Sequence, residues 1–339
     1  MTLVVVDADV LGRHRTGDET YVLNLLRGLA PLAPEAGLRI AALTRHPELV
    51  PDGIEPVELR TRVQELRMAF AVPRRLRRLD AALGHFQYAL PLFSPCPNVV
   101  TIHDLSFERE PALMRRKDRL VFKTVVPRAA RKAAKVLTVS ERTRRDLREV
   151  YDVPDEKIVV TPNGVDPAFT PSTGLAQGDY VLVVGAVQQR KNPLAALAAA
   201  EAAGLPLVVA GPRKDEALAR ELEQRGARVV GYVEQDELAR LYRGAACLVQ
   251  PSRYEGFGLP VLEAMASGTP VVAVPEPALQ EVAGDAAVWA DERGLADGIR
   301  KAVGERDRLV AAGLERARRF SWSETARLTL EVYLKVLGR

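Results

Sequence analysis

Short apolar runs rich in β-branched residues alternate, along the whole chain, with longer stretches whose apolar residues return at helical spacing. In the first half the runs are LVVVDA (3–8), LRIAALT (38–44), NVVTIHD (98–104), KVLTVS (135–140) and KIVVTPN (157–163). In the second they are YVLVVGA (180–186), LPLVVAG (205–211), RVVGYV (228–233), ACLVQPS (246–252) and TPVVAVP (269–275). Runs this apolar belong inside parallel sheets, and the helical stretches between them are the crossovers that parallel pairing requires. The pattern predicts an α/β fold with helices on both faces of its sheets. It occurs twice. The break is PNGVDPAFTPSTGLAQGDY (162–180), rich in Pro and Gly, which reads as a linker. At 339 residues the chain is long for one core and comfortable for two. The expectation is two doubly wound, Rossmann-like domains, residues 1–164 and 165–321, facing a central cleft, with ligands at the carboxyl ends of the strands. A last helix, about residues 322–337, has no strand after it and is available to cap either domain.

Composition narrows the class. The chain is 47% hydrophobic and 27% charged, a globular balance. No apolar run reaches the roughly 20 residues of a membrane span. The start, MTLVVVDADVLGRH, has neither a basic n-region nor a small-residue cleavage site, so it reads as a buried first strand and not as a signal peptide. Cys96 and Cys247 stand far apart with no metal or redox spacing, and a reducing cytoplasm is the expected location. The net charge of +4 is unevenly placed: residues 1–166 hold 27 Lys and Arg against 22 Asp and Glu, the remainder 21 against 22. Arg60, Arg62, Arg67, Arg74, Arg75, Arg77 and Arg78 share one stretch with a single acid, Glu65, and a second cluster spans Arg115 to Arg148. Such runs are either solvated helix faces or a surface that meets an anionic membrane or an acidic acceptor. Few aromatics interleave with them to stack on bases, so no nucleic-acid partner is expected.

The stretch PSRYEGFGLPVLEAMASGTPVVA (251–273) carries the chemistry. The run ACLVQPS leads into RYEGFG, a turn in which Gly256 and Gly258 permit positive φ or close backbone approach. Pro260 suits the first position of a helix, expected over 260–267 and ending near Gly268. Open amides at such a helix start form an anion site suited to a diphosphate. Glu255 projects from the turn and Glu263 from one turn into the helix, toward different parts of a ligand. Two carboxylates beside a dianion make sense when they accept hydrogen bonds from hydroxyls, those of a sugar at one end and of a ribose at the other. The plain alternative is a surface turn with incidental acids. Asp7 and Asp9, in DAD, look like a metal-binding pair but lie at the end of the first strand without sugar-site context, and no metal is expected.

EGFGLPVLE resembles the E-x7-E motif of retaining glycosyltransferases with the GT-B fold, family 4. TGDETYVLNLLRGLA (16–30), TIHDLSFERE (101–110), VLTVSERTRRDL (136–147), VTPNGVDPAF (160–169), VGAVQQRKN (184–192) and LARLYRGAACLVQPSRYEGFGLPVLEAMASGTPVVA (238–273) are similar to family segments, in family order. The resemblance implies transfer of a glycosyl unit from a nucleotide-diphosphate sugar, with retention of configuration. It implies a donor-binding second domain and an acceptor-binding first domain. Glu255 would then contact donor-sugar hydroxyls, with the amides of Gly256, Phe257, Gly258 and Leu259 on sugar and phosphate, and Glu263 would take the ribose hydroxyls. Arg190 and Lys191 match the basic pair on the diphosphate, where they would stabilise charge growing on the leaving nucleotide. Gly231, Tyr232 and Val233 match the loop that frames the base, or simply end a strand. His103, before Asp104, matches the family's catalytic-region histidine near the reacting carbon.

GRHRTGDET (12–20) departs from the double-glycine loop of many relatives, leaving Gly12 and Gly17 as the candidates beside the phosphates. His85 lines the acceptor side or only packs, Ser140 reads as a helix N-cap, and Glu281 either faces the donor or caps a turn. The likeness to mannosyltransferases of bacterial surface polysaccharide assembly favours GDP-mannose as donor and a saccharide or polyprenyl-linked acceptor, with peripheral contact at the inner membrane face. No cofactor beyond the donor is implied. The rival readings are a GT-B sugar-nucleotide epimerase, a phosphorylase, and a non-enzymatic basic protein that binds membranes.

Overall fold

A strand flanked by helices on both sides has no solvated face, and β1 (Thr2–Asp7) follows that rule: Val4, Val5 and Val6 are completely buried. The computed structural model describes residues 1–13, 16–111, 116–171 and 178–339. With β1 come β2 (Leu38–Thr44), β3 (Glu55–Glu58), β4 (Leu83–Gln87), β5 (Asn98–Ile102), β6 (Lys135–Thr138) and β7 (Ile158–Val160). They form a parallel sheet in the order β3-β2-β1-β4-β5-β6-β7. The second sheet holds β8 (Val181–Val184), β9 (Leu207–Ala210), β10 (Arg228–Gly231), β11 (Cys247–Gln250), β12 (Val271–Ala273) and β13 (Ala287–Trp289). Its order is β10-β9-β8-β11-β12-β13, again parallel. In each sheet the order reverses beside the first strand, between β1 and β4 and between β8 and β11. That reversal is where doubly wound folds bind ligands, at the carboxyl ends of the strands.

The crossovers of the first sheet are α1 (Thr16–Glu35), α2 (Gln64–Leu66), α3 (Val72–Arg78), α4 (Ser106–Arg109), α5 (Arg116–Lys132) and α6 (Glu141–Tyr151). Those of the second are α7 (Pro193–Ala203), α8 (Glu216–Gln224), α9 (Gln235–Gly244), α10 (Leu259–Ala266) and α11 (Pro277–Ala283), and α12 (Leu295–Gly304) and α13 (Arg306–Ala317) follow its last strand. The chain closes on α14 (Trp322–Val336). Two units result, Met1–Gly164 with Trp322–Arg339, and Val165–Ser321. Each has its own apolar core.

The first unit claims the last helix through contacts only small residues allow. A Cβ on Gly28 of α1 would lie 2.7 Å from the Ala326 Cβ and 3.0 Å from the Trp322 carbonyl oxygen. At the far end, buried His85 of β4 hydrogen-bonds the Tyr333 hydroxyl through Nδ1 (2.6 Å) and the Thr101 hydroxyl through Nε2 (2.7 Å). Thr101 in turn bonds the Tyr21 hydroxyl at 3.0 Å. His85 therefore pins α14 and lines no acceptor site: it is fully buried with both nitrogens engaged. Burial pushes its imidazole down to about 3, so it is neutral at ordinary pH.

β3, β4 and β13 have no counterpart among the sequence runs. β3 buries one residue of four, and β13 is three residues long. β4, LGHFQ, places Gly84 and His85 in the middle of a central strand, where neither is favoured by strand propensity. Ser140 caps α6, its side chain accepting from the Thr143 amide at 3.1 Å. Among the described residues no helix is long and apolar enough to cross a membrane. Asp7 and Asp9 are taken by arginines: Arg67 donates to Asp7 at 3.1 Å and Arg45 to Asp9 at 2.9 Å. Among the described residues no three His, Cys, Asp or Glu side chains come together as a metal site.

Candidate active site

In the second unit the loop after β11 builds the densest charged cluster. Glu255 is 6% exposed. Its Oε1 accepts from Lys191 Nζ at 2.6 Å and from Gln250 Nε2 at 2.6 Å, and Arg190 stands 3.7 Å from Oε2. Arg190 also donates to the Tyr254 carbonyl, and the Arg253 amide donates to the Arg190 carbonyl at 3.1 Å. The loop after β8 is thereby tied to the loop after β11. Burial alone would raise the Glu255 carboxyl, but Lys191 and Arg190 together outweigh it and hold it down at about 2.

Directly after the cluster, Gly258 caps α10 at φ +113°. A Cβ there would lie 2.7 Å from Leu279 Cδ2, so both conformation and space call for glycine. α10 starts at Leu259, one residue before the expected start, and Pro260 sits in its first turn. The amides of Phe257, Gly258 and Leu259 have no hydrogen-bond partner among the described residues. They are the donors a helix N-terminus offers to an anion. The Phe257 ring is buried, edge-on to Phe320 with centroids 5.8 Å apart, so only its main chain is available.

Glu263 lies further along α10, 8% exposed. The Tyr242 hydroxyl donates to its Oε2 at 2.8 Å. Burial pushes this carboxyl up to about 7; the Tyr242 bond opposes the shift and the charge of Asp166 adds to it. The two glutamates thus sit at opposite ends of the carboxylate range, one held ionised by cations and one poised near neutrality. Gly231 ends β10, its carbonyl accepting from the Gly211 amide at 2.7 Å. Tyr232 beyond it is 42% exposed and Val233 half-buried. Glu281 is internal to α11; the N-cap of that helix is Glu276, whose carboxylate accepts from the amides of Ala278 (2.8 Å) and Leu279 (3.2 Å).

In the first unit, His103 follows β5 at the carboxyl edge of the sheet, 9% exposed. Its Nε2 lies 2.8 Å from Gln87 Oε1 at the end of the neighbouring β4. Tyr21 packs edge-on to its ring at 4.6 Å and Tyr88 tilts against it at 5.5 Å. Burial lowers its affinity for a proton, opposed by Asp18 and Asp104. Asp104 shapes the loop, accepting from the Ser106 amide (3.0 Å) and hydroxyl (2.9 Å). The Gly12 amide is already taken by Glu19 Oε1 at 2.6 Å. Gly17 is the second residue of α1 and exposed. His14 and Arg15 between them lie outside the described residues, as do residues 112–115, with Arg115 of the second basic cluster, and residues 172–177 of the linker.

Residues 169–320 match the family described as glycosyl transferases group 1, and residues 15–169 match glycosyltransferase family 4. The O-antigen chain mannosyltransferase B of Escherichia coli is 32% identical over 267 residues, 69% of this chain and 69% of that protein. The chain belongs to the group 1 glycosyltransferases of family 4. A D-inositol 3-phosphate glycosyltransferase of a Nocardioides species is 46% identical over 114 residues, 31% of this chain and 25% of that protein. The chain spans less than two thirds of the length of further curated relatives. Among solved structures, sucrose-phosphate synthase of Thermosynechococcus elongatus superposes with a TM-score of 0.80 at 21% identity, over 100% of both chains. The HepE protein of Anabaena, solved in complex with UDP-glucose, gives 0.78 at 16% identity, over 99% of this chain and 100% of that one. At these identities the likeness is one of fold, the two doubly wound units of GT-B glycosyltransferases.

Sequence patterns in this glycosyltransferase did not reveal Gln250, Tyr242 or Gln87. Gln250 and Gln87 are polar residues ending buried strands, CLVQ and LGHFQ, and that position at a carboxyl edge was the available signal. Tyr242 had none, because its bond to Glu263 joins separate helices.

Proposed function

We propose that this glycosyltransferase is a retaining hexosyltransferase. It would move a mannosyl unit from a nucleotide-diphosphate sugar, GDP-mannose before others, to a saccharide or lipid-linked saccharide acceptor in bacterial glycan synthesis at the inner face of the cytoplasmic membrane. The observation that carries the reading is the Lys191–Glu255 pair beside the open amides of α10, with Glu263 on the same helix. The diphosphate lies at the helix start, where the amides of Phe257, Gly258 and Leu259 donate to it. An ammonium has three donors, and Glu255 accepts one from Lys191. The same cation can therefore bridge the sugar-binding carboxylate and a phosphate oxygen.

In the reaction the anomeric carbon–phosphate oxygen bond breaks while the acceptor oxygen bonds the same face of that carbon. The acceptor proton passes to the departing phosphate oxygen. Arg190 and Lys191 stabilise the charge that accumulates there. Glu255 holds the sugar, and Glu263 accepts from the ribose hydroxyls. The mannosyl preference is supported by the Escherichia coli relative. A UDP-sugar is the second donor, supported by the UDP-glucose complex of HepE.

The division of labour between the glutamates is testable by calorimetric titration. Glu263→Ala should weaken GDP binding at least tenfold, the loss of hydrogen bonds to a charged acceptor. Glu255→Ala should keep more of the GDP affinity while losing sugar transfer. Equal loss of plain diphosphate affinity in both variants would contradict the assignment. Because Glu263 accepts the hydroxyl hydrogen bonds as a carboxylate, nucleotide affinity should rise as pH rises through about 7 and flatten above it.

A further inference from the structure

The arginine-rich stretch after β3 forms one continuous helical segment, α2, a π-turn over Arg67–Ala71, and α3. Pro73 lacks the N–H an α-helix needs in its interior, and the wide turn before it accommodates that loss. Arg67, Met68, Val72, Pro73 and Leu76 face the core. Leu66, Phe70, Arg74 and Arg78, each four residues from the last, form the opposite stripe and are all exposed. Leu66 is 52% and Phe70 50% exposed. With Leu59, Ala71 and Arg75 this stripe lines an open groove of about 570 Å³.

The apolar surface continues beyond the helix. The Met68 carbonyl accepts from the Leu92 amide at 3.1 Å, which brings exposed Leu92 and Phe93 (63%) beside it. No carboxylate among the described residues forms an ion pair with Arg62, Arg74, Arg77 or Arg78. The stripe belongs to the crossover from β3 to β4 and Leu92 to the crossover from β4 to β5, so both lie across one face of the parallel sheet, between its carboxyl and amino edges.

We propose that this face docks on an anionic phospholipid bilayer, with Leu66, Phe70, Leu92 and Phe93 entering the apolar layer and Arg74, Arg77 and Arg78 among the lipid phosphates. Large apolar side chains exposed beside guanidiniums that have no carboxylate partner match a bilayer surface in both polarity and charge. The proposal rests on the lipid-linked acceptor of the proposed function and deepens it, because a chain held at a bilayer meets an acceptor carried in that bilayer.

The test is flotation of the full chain with phosphatidylcholine vesicles, with and without phosphatidylglycerol, at low and high salt. Wild type should bind only the anionic vesicles, more weakly at high salt. Arg74→Ala with Arg78→Ala should weaken binding roughly 25-fold, about fivefold per arginine. Leu66→Ser with Phe70→Ser should weaken it roughly tenfold or more. These side chains are exposed, and an unchanged melting temperature shows each variant folded; Phe70→Ser alone serves if the double variant is not. Wild type that ignores anionic vesicles at low salt overturns the proposal. So does undiminished binding by both double variants, or a wild-type dimer that Leu66→Ser with Phe70→Ser turns to monomer while vesicles stay unbound. Nucleotide binding by the same variants separates the two readings. Vesicle docking that follows the substitutions, with no nucleotide bound, sinks the donor assignment and leaves the docking face standing; the converse result sinks docking alone.

Discussion

Glu263 is a carboxylate kept at a cost. Its folded-state value near 7 lies above the unfolded value of 4.5. The folded state therefore holds the proton more tightly, and the stability this contributes is complete below about pH 4.5 and lost as pH rises through 7. Glu263→Gln cannot ionise, so it should nearly match wild type near pH 4.5 and exceed it by roughly 3 kcal/mol at pH 8. Urea unfolding of both proteins at the two pH values checks this, and a gap independent of pH would show that Glu263 is not the titrating group. The same substitution should weaken nucleotide binding, a trade of function for stability typical of binding sites. Both glutamates were legible in sequence from their spacing about a Gly-rich turn. Their opposite electrostatics were not, because the cations on Glu255 come from the loop after β8 and the partner of Glu263 comes from α9.

At the scale of elements, α14 is held to the first unit by polar bonds inside an apolar core. His85→Leu leaves the hydroxyls of Tyr333 and Thr101 without that partner, and each buried group so left costs about 1–3 kcal/mol. Loss of about 2–4 kcal/mol is expected, read from denaturant midpoints. The wild-type imidazole, depressed to about 3 from 6.5, is a stabilising neutral group. Its contribution is present above pH 6.5 and is lost as pH falls toward 3. The leucine variant should lack this part of the acid sensitivity; an unchanged slope of stability with pH would contradict the assignment. Most strands were legible as apolar runs, since a buried parallel strand announces itself by composition. β4 was not, because its glycine and histidine serve a neighbouring strand and a distant helix.

Over the whole molecule, strand–helix alternation and its Pro- and Gly-rich break gave away the two sheets, while the order of strands within each came only from the structure. The surplus of arginine in the first half was visible as a count; that it shares a face with Phe70 and Leu66 depends on a π-turn no pattern announces. The central claim is that the second unit binds a nucleotide-diphosphate sugar between the α10 amides and its two glutamates. The measurement that tests it most directly is a thermal-shift titration of the full chain with GDP, UDP, dTDP and ADP and their common sugar conjugates. A ligand bound only by the native state raises the melting temperature by mass action, by roughly 2.7 kcal/mol of added stability at a hundredfold excess over Kd. A clear rise is expected with one nucleotide and its sugar, GDP and GDP-mannose first, and a smaller rise or none for that nucleotide in Glu263→Ala. A folded protein whose melting temperature moves with no member of the panel would contradict it.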